Sequence, residues 1–156
     1  MGLNLAACAF EPWVADFVAA SNALSGIERA ATAGEIAAHR GFFARRRVGA
    51  ANVVLLRAHL SGPDGRAAVE ERPDAATLSG IDELLSDDLL PWQLYAAFRE
   101  LAPFAHANGR CARALWMSRR LAEGASPQVE RLPPEWARDA RDGRRVVGEM
   151  RARGEA

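Results

Sequence analysis

Pro91-Trp92-Gln93-Leu94-Tyr95-Ala96-Ala97-Phe98-Arg99-Glu100-Leu101 is the segment on which the reading of the fold turns. Its large apolar residues, Trp92, Leu94, Tyr95, Phe98 and Leu101, return with the period of one helix face rather than with the alternation of a strand. Proline at the first position presets φ and forfeits no intrahelical donor, and Pro103 stops the helix. A loop follows, Phe104-Ala105-His106-Ala107-Asn108-Gly109. A second apolar helix then runs from Arg110 through Leu121 with Leu115, Trp116 and Met117. Helix, tight loop, helix is the organising unit.

Outward from this unit the same period recurs. Pro12 opens a helix carrying Trp13, Phe17, Val18 and Leu24, which Gly26 interrupts. Thr32, with Glu35 three positions later, reads as a capping box for a helix with Ile36, Phe42 and Phe43, although Gly41 weakens its continuity. Val53, Val54, Leu56 and Leu60 face inward on a helix over 50–60. Ser61-Gly62-Pro63-Asp64-Gly65 is a turn cluster, and the short stretch 66–72 beyond it reads as a small β-hairpin. Asp74 caps a helix with Leu78, Ile81, Leu84 and Leu85, and the acidic group Asp82, Glu83, Asp87 and Asp88 falls on its solvated side. Pro127, Pro133 and Pro134 break the chain before a terminal helix over about 135–153 that packs Trp136, Val146, Val147 and Met150. The expectation is one all-α domain over 1–156, with its core over about 24–121 and a small β-hairpin beside it.

Composition supports a globular chain: 49% of the 156 residues are hydrophobic and 26% charged. Lys plus Arg equals Asp plus Glu at 20 each, so no overall field draws in nucleic acid or an anionic membrane. Every one of these cations is Arg, a bias attributed to a GC-rich genome. No apolar run is long enough to span a bilayer. Cys8 and Cys111 are too few for a disulfide scaffold, and a soluble, cytoplasmic protein is expected. Leu5-Ala6-Ala7-Cys8 has the look of a lipidation string but lacks a basic leader and an apolar region.

Asn108-Gly109-Arg110 lies directly before a helix. There, free backbone N–H groups and the positive end of the helix dipole favour an anion. Asn and Gly tolerate the left-handed backbone of an anion nest, and Arg110 adds a planar donor fork, with Arg113 nearly one turn on. Phosphate is the expected ligand.

The wider string Ala102-Pro103-Phe104-Ala105-His106-Ala107-Asn108-Gly109-Arg110-Cys111-Ala112-Arg113 resembles the Fic (Fic/Doc, Fido) family motif, His-x-Phe-x-(Asp/Glu)-Gly-Asn-Gly-Arg-x-x-Arg. Phe104, Asn108, Gly109, Arg110 and Arg113 match. The resemblance implies a Fic-type helical domain with a β-hairpin flap over Gly62 to Val69. It also implies ATP as substrate or ligand and transfer of AMP to a hydroxyl of a target protein, and such chains are often encoded as toxin–antitoxin pairs. Position by position, Asn108, Gly109, Arg110 and Arg113 bind phosphate and Phe104 anchors the loop. The general base of the family falls on Ala102, whose methyl cannot accept a proton. Its acidic Mg²⁺ ligand falls on His106, a poor substitute because Mg²⁺ demands hard oxygen donors. Its first motif Gly is Ala107. Binding is retained while the chemistry is damaged: weak or absent nucleotidyl transfer is expected, with His106 as a displaced base. The alternative is a non-catalytic pseudoenzyme serving as a binding or inhibitory partner, including in a homo- or hetero-dimer. Ser25-Gly26-Ile27-Glu28-Arg29 resembles the family's inhibitory motif, which implies a Glu28–Arg113 pair.

The remaining candidates have plainer readings. His59 is expected in the packing and His39 on the surface. Cys111 reads as a small buried thiol sooner than as a helix-terminal nucleophile, Arg45-Arg46-Arg47 as a solvated helix end, and the four tryptophans as core.

Overall fold

A computed structural model describes residues 12–66, 72–134 and 140–154. Seven α-helices run through them: α1 Trp13–Leu24, α2 Ala33–Phe43, α3 Ala50–Ala58, α4 Ala75–Ser86, α5 Pro91–Leu101, α6 Asn108–Ala122 and α7 Ala140–Gly154, with a 3₁₀ turn at Val129–Arg131. Among the described residues there is no strand, and the fold is all-α. Of the expected hairpin, 67–71 lie outside the described residues. The segment before it is a tight turn, closed by the Gly62 N–H donating to the Arg66 carbonyl at 2.9 Å, with Gly65 at φ +75°. The predicted Trp136 likewise lies outside the described residues.

The cap residues do what their chemistry suggests. The Thr32 hydroxyl accepts from the Glu35 N–H at 3.1 Å and the Glu35 carboxylate accepts from the Thr32 N–H at 2.9 Å, a closed capping box. Asp74 accepts from the Thr77 N–H at 2.7 Å. Asp82 is not merely solvated, because its carboxylate accepts from the Ala50 N–H at 2.7 Å and so caps α3 from a neighbouring helix.

α5 is the axis of the fold, packing most extensively on α7 and α6. Its Leu94, Tyr95, Ala97 and Phe98 are inaccessible, as are Cys111, Ala112, Ala114 and Met117 on α6. α1 and α2 close the other side with an aromatic cluster: Phe17 meets Phe43 edge-on at 5.1 Å, and Trp13 lies 5.2 Å from Phe43. Trp116 is buried, while Trp13 and Trp92 are half-buried against the core.

His39 and His59 are exchanged relative to expectation. His39 is 1% exposed, its ring among Phe17 and Phe43 and its Nδ1 2.7 Å from the Glu35 carbonyl one turn earlier. It shares the inward face of α2 with Phe42 and Phe43, which overrides the polarity of the imidazole. His59 is exposed instead, because α3 ends at Ala58 and the ring sits on the cap residue. No helix among the described residues is long and apolar enough to cross a membrane.

Candidate functional site

α5 ends where Ala102 turns left-handed, at φ +43° and ψ +58°, and α6 begins after Ala107, also left-handed at φ +67°. An L-residue in this region costs about 1–2 kcal/mol, so two alanines hold strained backbone at either end of one short loop. Such strain persists only where the surroundings impose it. Phe104 imposes it from below: 7% exposed, its ring lies 6.2 Å from Phe98, with the Arg57 guanidinium 5.8 Å over its face. Asn108 imposes it from the side, its Nδ2 donating to the Phe104 carbonyl at 2.7 Å and its Oδ1 accepting from the Phe104 N–H at 3.1 Å. The Asn108 side chain therefore pins the loop instead of reaching out to a ligand. Ala102→Gly is expected to raise the unfolding free energy by about 0.5–1 kcal/mol in urea titrations, because the exposed methyl has little burial to lose and glycine removes the left-handed penalty. A loss of stability would show that the turn is not strained.

Beside this loop lies a cavity of about 570 Å³. Its wall carries Arg57 from α3, Arg99 from α5 and Arg110 from α6, together with the backbone of Asn108 and Gly109. The first-turn N–H groups of α6 have no intrahelical acceptor, the ladder starting only when the Cys111 N–H donates to Ala107 at 3.0 Å. Ile27, Leu60 and Pro63 supply an apolar side, His106 stands exposed at the rim, and among the described lining residues there is no carboxylate. A second cavity of about 600 Å³ is walled by Arg46, Arg47 and Arg119 with Asp82, Asp87 and Asp88. There the signs are mixed and the polar groups serve the fold: Asp82 caps α3, and Arg119 donates to the Leu89 carbonyl at 3.2 Å. The single-sign cavity is the candidate site.

Behind its wall is a buried polar hub that the sequence does not announce. Glu35 is inaccessible. Arg29 grips both of its oxygens, at 2.8 and 3.0 Å, and the N–H groups of Thr32 and Ser61 donate at 2.9 and 3.0 Å. Asn22 donates at 3.3 Å and Arg110 at 3.5 Å. Burial pushes the Glu35 carboxyl upward, but the Arg29 hydrogen bonds and the two backbone donors outweigh it and hold the group down at about 2. Arg110 also donates to the Ser61 carbonyl at 2.8 Å and to Asn22 at 3.3 Å. Its hydrogen bonds to Asn22, Glu35 and Ser61 all leave from Nη1, and Arg110 also lines the cavity.

Arg113 departs further from the expected role. It is wholly buried, donating to the Ser21 hydroxyl and carbonyl at 2.9 Å each and to the Ser25 hydroxyl. It does not line the cavity. The expected Glu28–Arg113 pair is not formed: Glu28 is exposed and makes no ion pair among the described residues, because Gly26 at φ +75° turns the chain so that Ile27, not Glu28, is buried. The carboxylate that meets an arginine of the loop is Glu35, and the arginine is Arg110.

Cys111 is inaccessible, and burial pushes its thiol up to about 12, so it is a neutral packing group and not a nucleophile. Of the expected phosphate-binding residues, Asn108, Gly109 and Arg110 line the cavity, the Asn108 amide being engaged with the Phe104 backbone, and Arg113 does not line it. Arg57 and Arg99 were not anticipated. The signal for Arg57 was available, as a lone arginine inside the apolar run Leu55-Leu56-Arg57-Ala58-His59-Leu60. Mg²⁺ is a poor match to the described wall, whose residues offer a rim imidazole and no carboxylate oxygen; among the described residues no cluster of three or more His, Cys, Asp and Glu is placed to hold a metal.

No family model, no curated protein and no solved structure matches this chain.

Proposed function

We propose that the chain is a divergent Fic-like domain that binds a nucleoside triphosphate in the cavity beside the α5–α6 loop, with weak or absent transfer of AMP to a protein hydroxyl. The observation that carries this reading is the wall itself: Arg57, Arg99 and Arg110 with the N-terminal turn of α6 around about 570 Å³, facing no carboxylate among the described residues. A polyanion is the ligand class that such a wall favours, and the apolar side formed by Ile27, Leu60 and Pro63 suits a base or sugar. Weak transfer follows from what the loop lacks. Ala102 offers no proton acceptor, a deficit on the order of 10² to 10⁴ in rate. His106, the titratable group at the rim, is the only side chain of the loop 102–107 able to take a proton.

A non-catalytic binding or inhibitory partner is the second reading, and one observation favours it: Arg110 and Arg113 are engaged by acceptors of the protein itself. Calorimetric titration with ATP tests the shared claim. Binding is expected, weakened about tenfold or more in Arg57→Gln and in Arg99→Gln, as for loss of a charge-assisted contact; no binding of ATP overturns it. Incubation with labelled ATP and a hydroxyl-bearing target then separates the two. Labelling gained only in the Ala102→His, His106→Asp double variant favours the pseudoenzyme, whereas slow labelling by the natural chain that is lost in His106→Ala favours a weak transferase.

A further inference from the structure

The cavity wall and the divalent cation implied by the resemblance do not suit each other, and this disagreement has a consequence for the ligand. We infer that the cavity holds its polyphosphate free of a divalent cation, with the arginines supplying the countercharge. This rests on the nucleotide reading above.

Arg57 and Arg110 are each 6% exposed and Arg99 is half-buried, so the charges lie in a partly desolvated wall where their pull on an anion is less screened than on an open surface. The nearest carboxylate, Glu35, sits behind Arg110 and has both oxygens occupied by Arg29, Asn22, Thr32 and Ser61. It is held ionised by donors on every side and has no lone pair turned to the cavity that a cation would need. His106 supplies nitrogen, which Mg²⁺ takes poorly. A cation carried in on the phosphates would therefore meet three arginines and the positive end of α6 with no carboxylate among the described lining residues. It would also cover the phosphate oxygens to which those arginines donate. The metal-free polyphosphate keeps its full charge and all its acceptors.

The test is titration of the full chain with ATP and, separately, with inorganic tripolyphosphate, in EDTA and in excess Mg²⁺ at matched ionic strength. Kd is expected to be about threefold or more lower in EDTA for both ligands, a preference of the size that one charge contact confers. The preference should shrink in Arg57→Gln and in Arg99→Gln. An equal or lower Kd in Mg²⁺ overturns the inference while leaving nucleotide binding intact. An EDTA preference unchanged in both variants also overturns it, because the arginines are then not the countercharge. Failure of both ligands to bind in either condition overturns the nucleotide reading and the inference together.

Discussion

Glu35→Ala loses about 3–5 kcal/mol of unfolding free energy in urea titration at pH 7, a large part of the total stability of a domain this size. The cost is not that of one ion pair. Removing the carboxylate strands Arg110, 6% exposed, and the N–H groups of Thr32 and Ser61, and it leaves the inward side of Arg29 without its bidentate partner. It also opens one half of the capping box of α2. Glu35→Gln keeps the shape and one acceptor oxygen and should cost about half as much, while Arg29→Ala, at a residue partly open to water, should cost less than Glu35→Ala. A loss below about 1 kcal/mol for Glu35→Ala would place the carboxylate at the periphery of the fold. The hub also joins α1, α2, the turn after α3, and α6, so a weakened Glu35 should loosen the cavity wall through Arg110 and Ser61.

Acid destabilises the protein in two steps, the first of them set by His39. Burial lowers the His39 pKa to about 4, with Arg110 adding to the depression and the Glu35 carbonyl and carboxylate opposing it. The depressed value means that the unfolded chain binds the proton and the folded one resists it. Stability is therefore full above the unfolded value near 6.5 and falls with pH down to about 4, by about 3 kcal/mol. Below that the second step begins: Glu35, held at about 2, contributes stability that is present above its unfolded value of 4.5 and is lost as pH falls toward 2. Urea midpoints between pH 7 and 4 check the first step. In His39→Phe the slope over that interval should flatten, since an uncharged ring fills the same aromatic cluster. An unchanged slope would mean that other groups carry the dependence.

The helices were legible because their signals are local. Pro91 and Pro103 bracket α5, Thr32 and Glu35 write the start of α2, and Asp74 writes the start of α4, each through contacts a few residues apart. The loop between α5 and α6 was legible as a candidate site for the same reason, since Asn108 and Gly109 lie at a helix start. What was misread depends on faces. The sequence puts His39 on the surface and His59 in the packing because an imidazole suits either, whereas the inward face of α2 and the end of α3 at Ala58 decide the reverse. Asn108 is expected to lend a left-handed backbone to an anion nest, but the left-handed residue before α6 is Ala107 and the Asn108 amide closes on the Phe104 backbone four residues earlier.

The identity of the all-α class, the caps and the position of the α5–α6 loop thus follow from period and spacing along the chain, where interactions reach only one or two turns. Which charges share a wall was settled in three dimensions. Arg57, Arg99 and Arg110 come from three different helices, and Glu35 reaches Arg110 across 75 positions of sequence. Packing of α3 and α5 against α6 brings those arginines to one cavity and turns Arg113 into the interior toward Ser21. Desolvation and charge depend on distance through space, and no pattern along the chain encodes that distance.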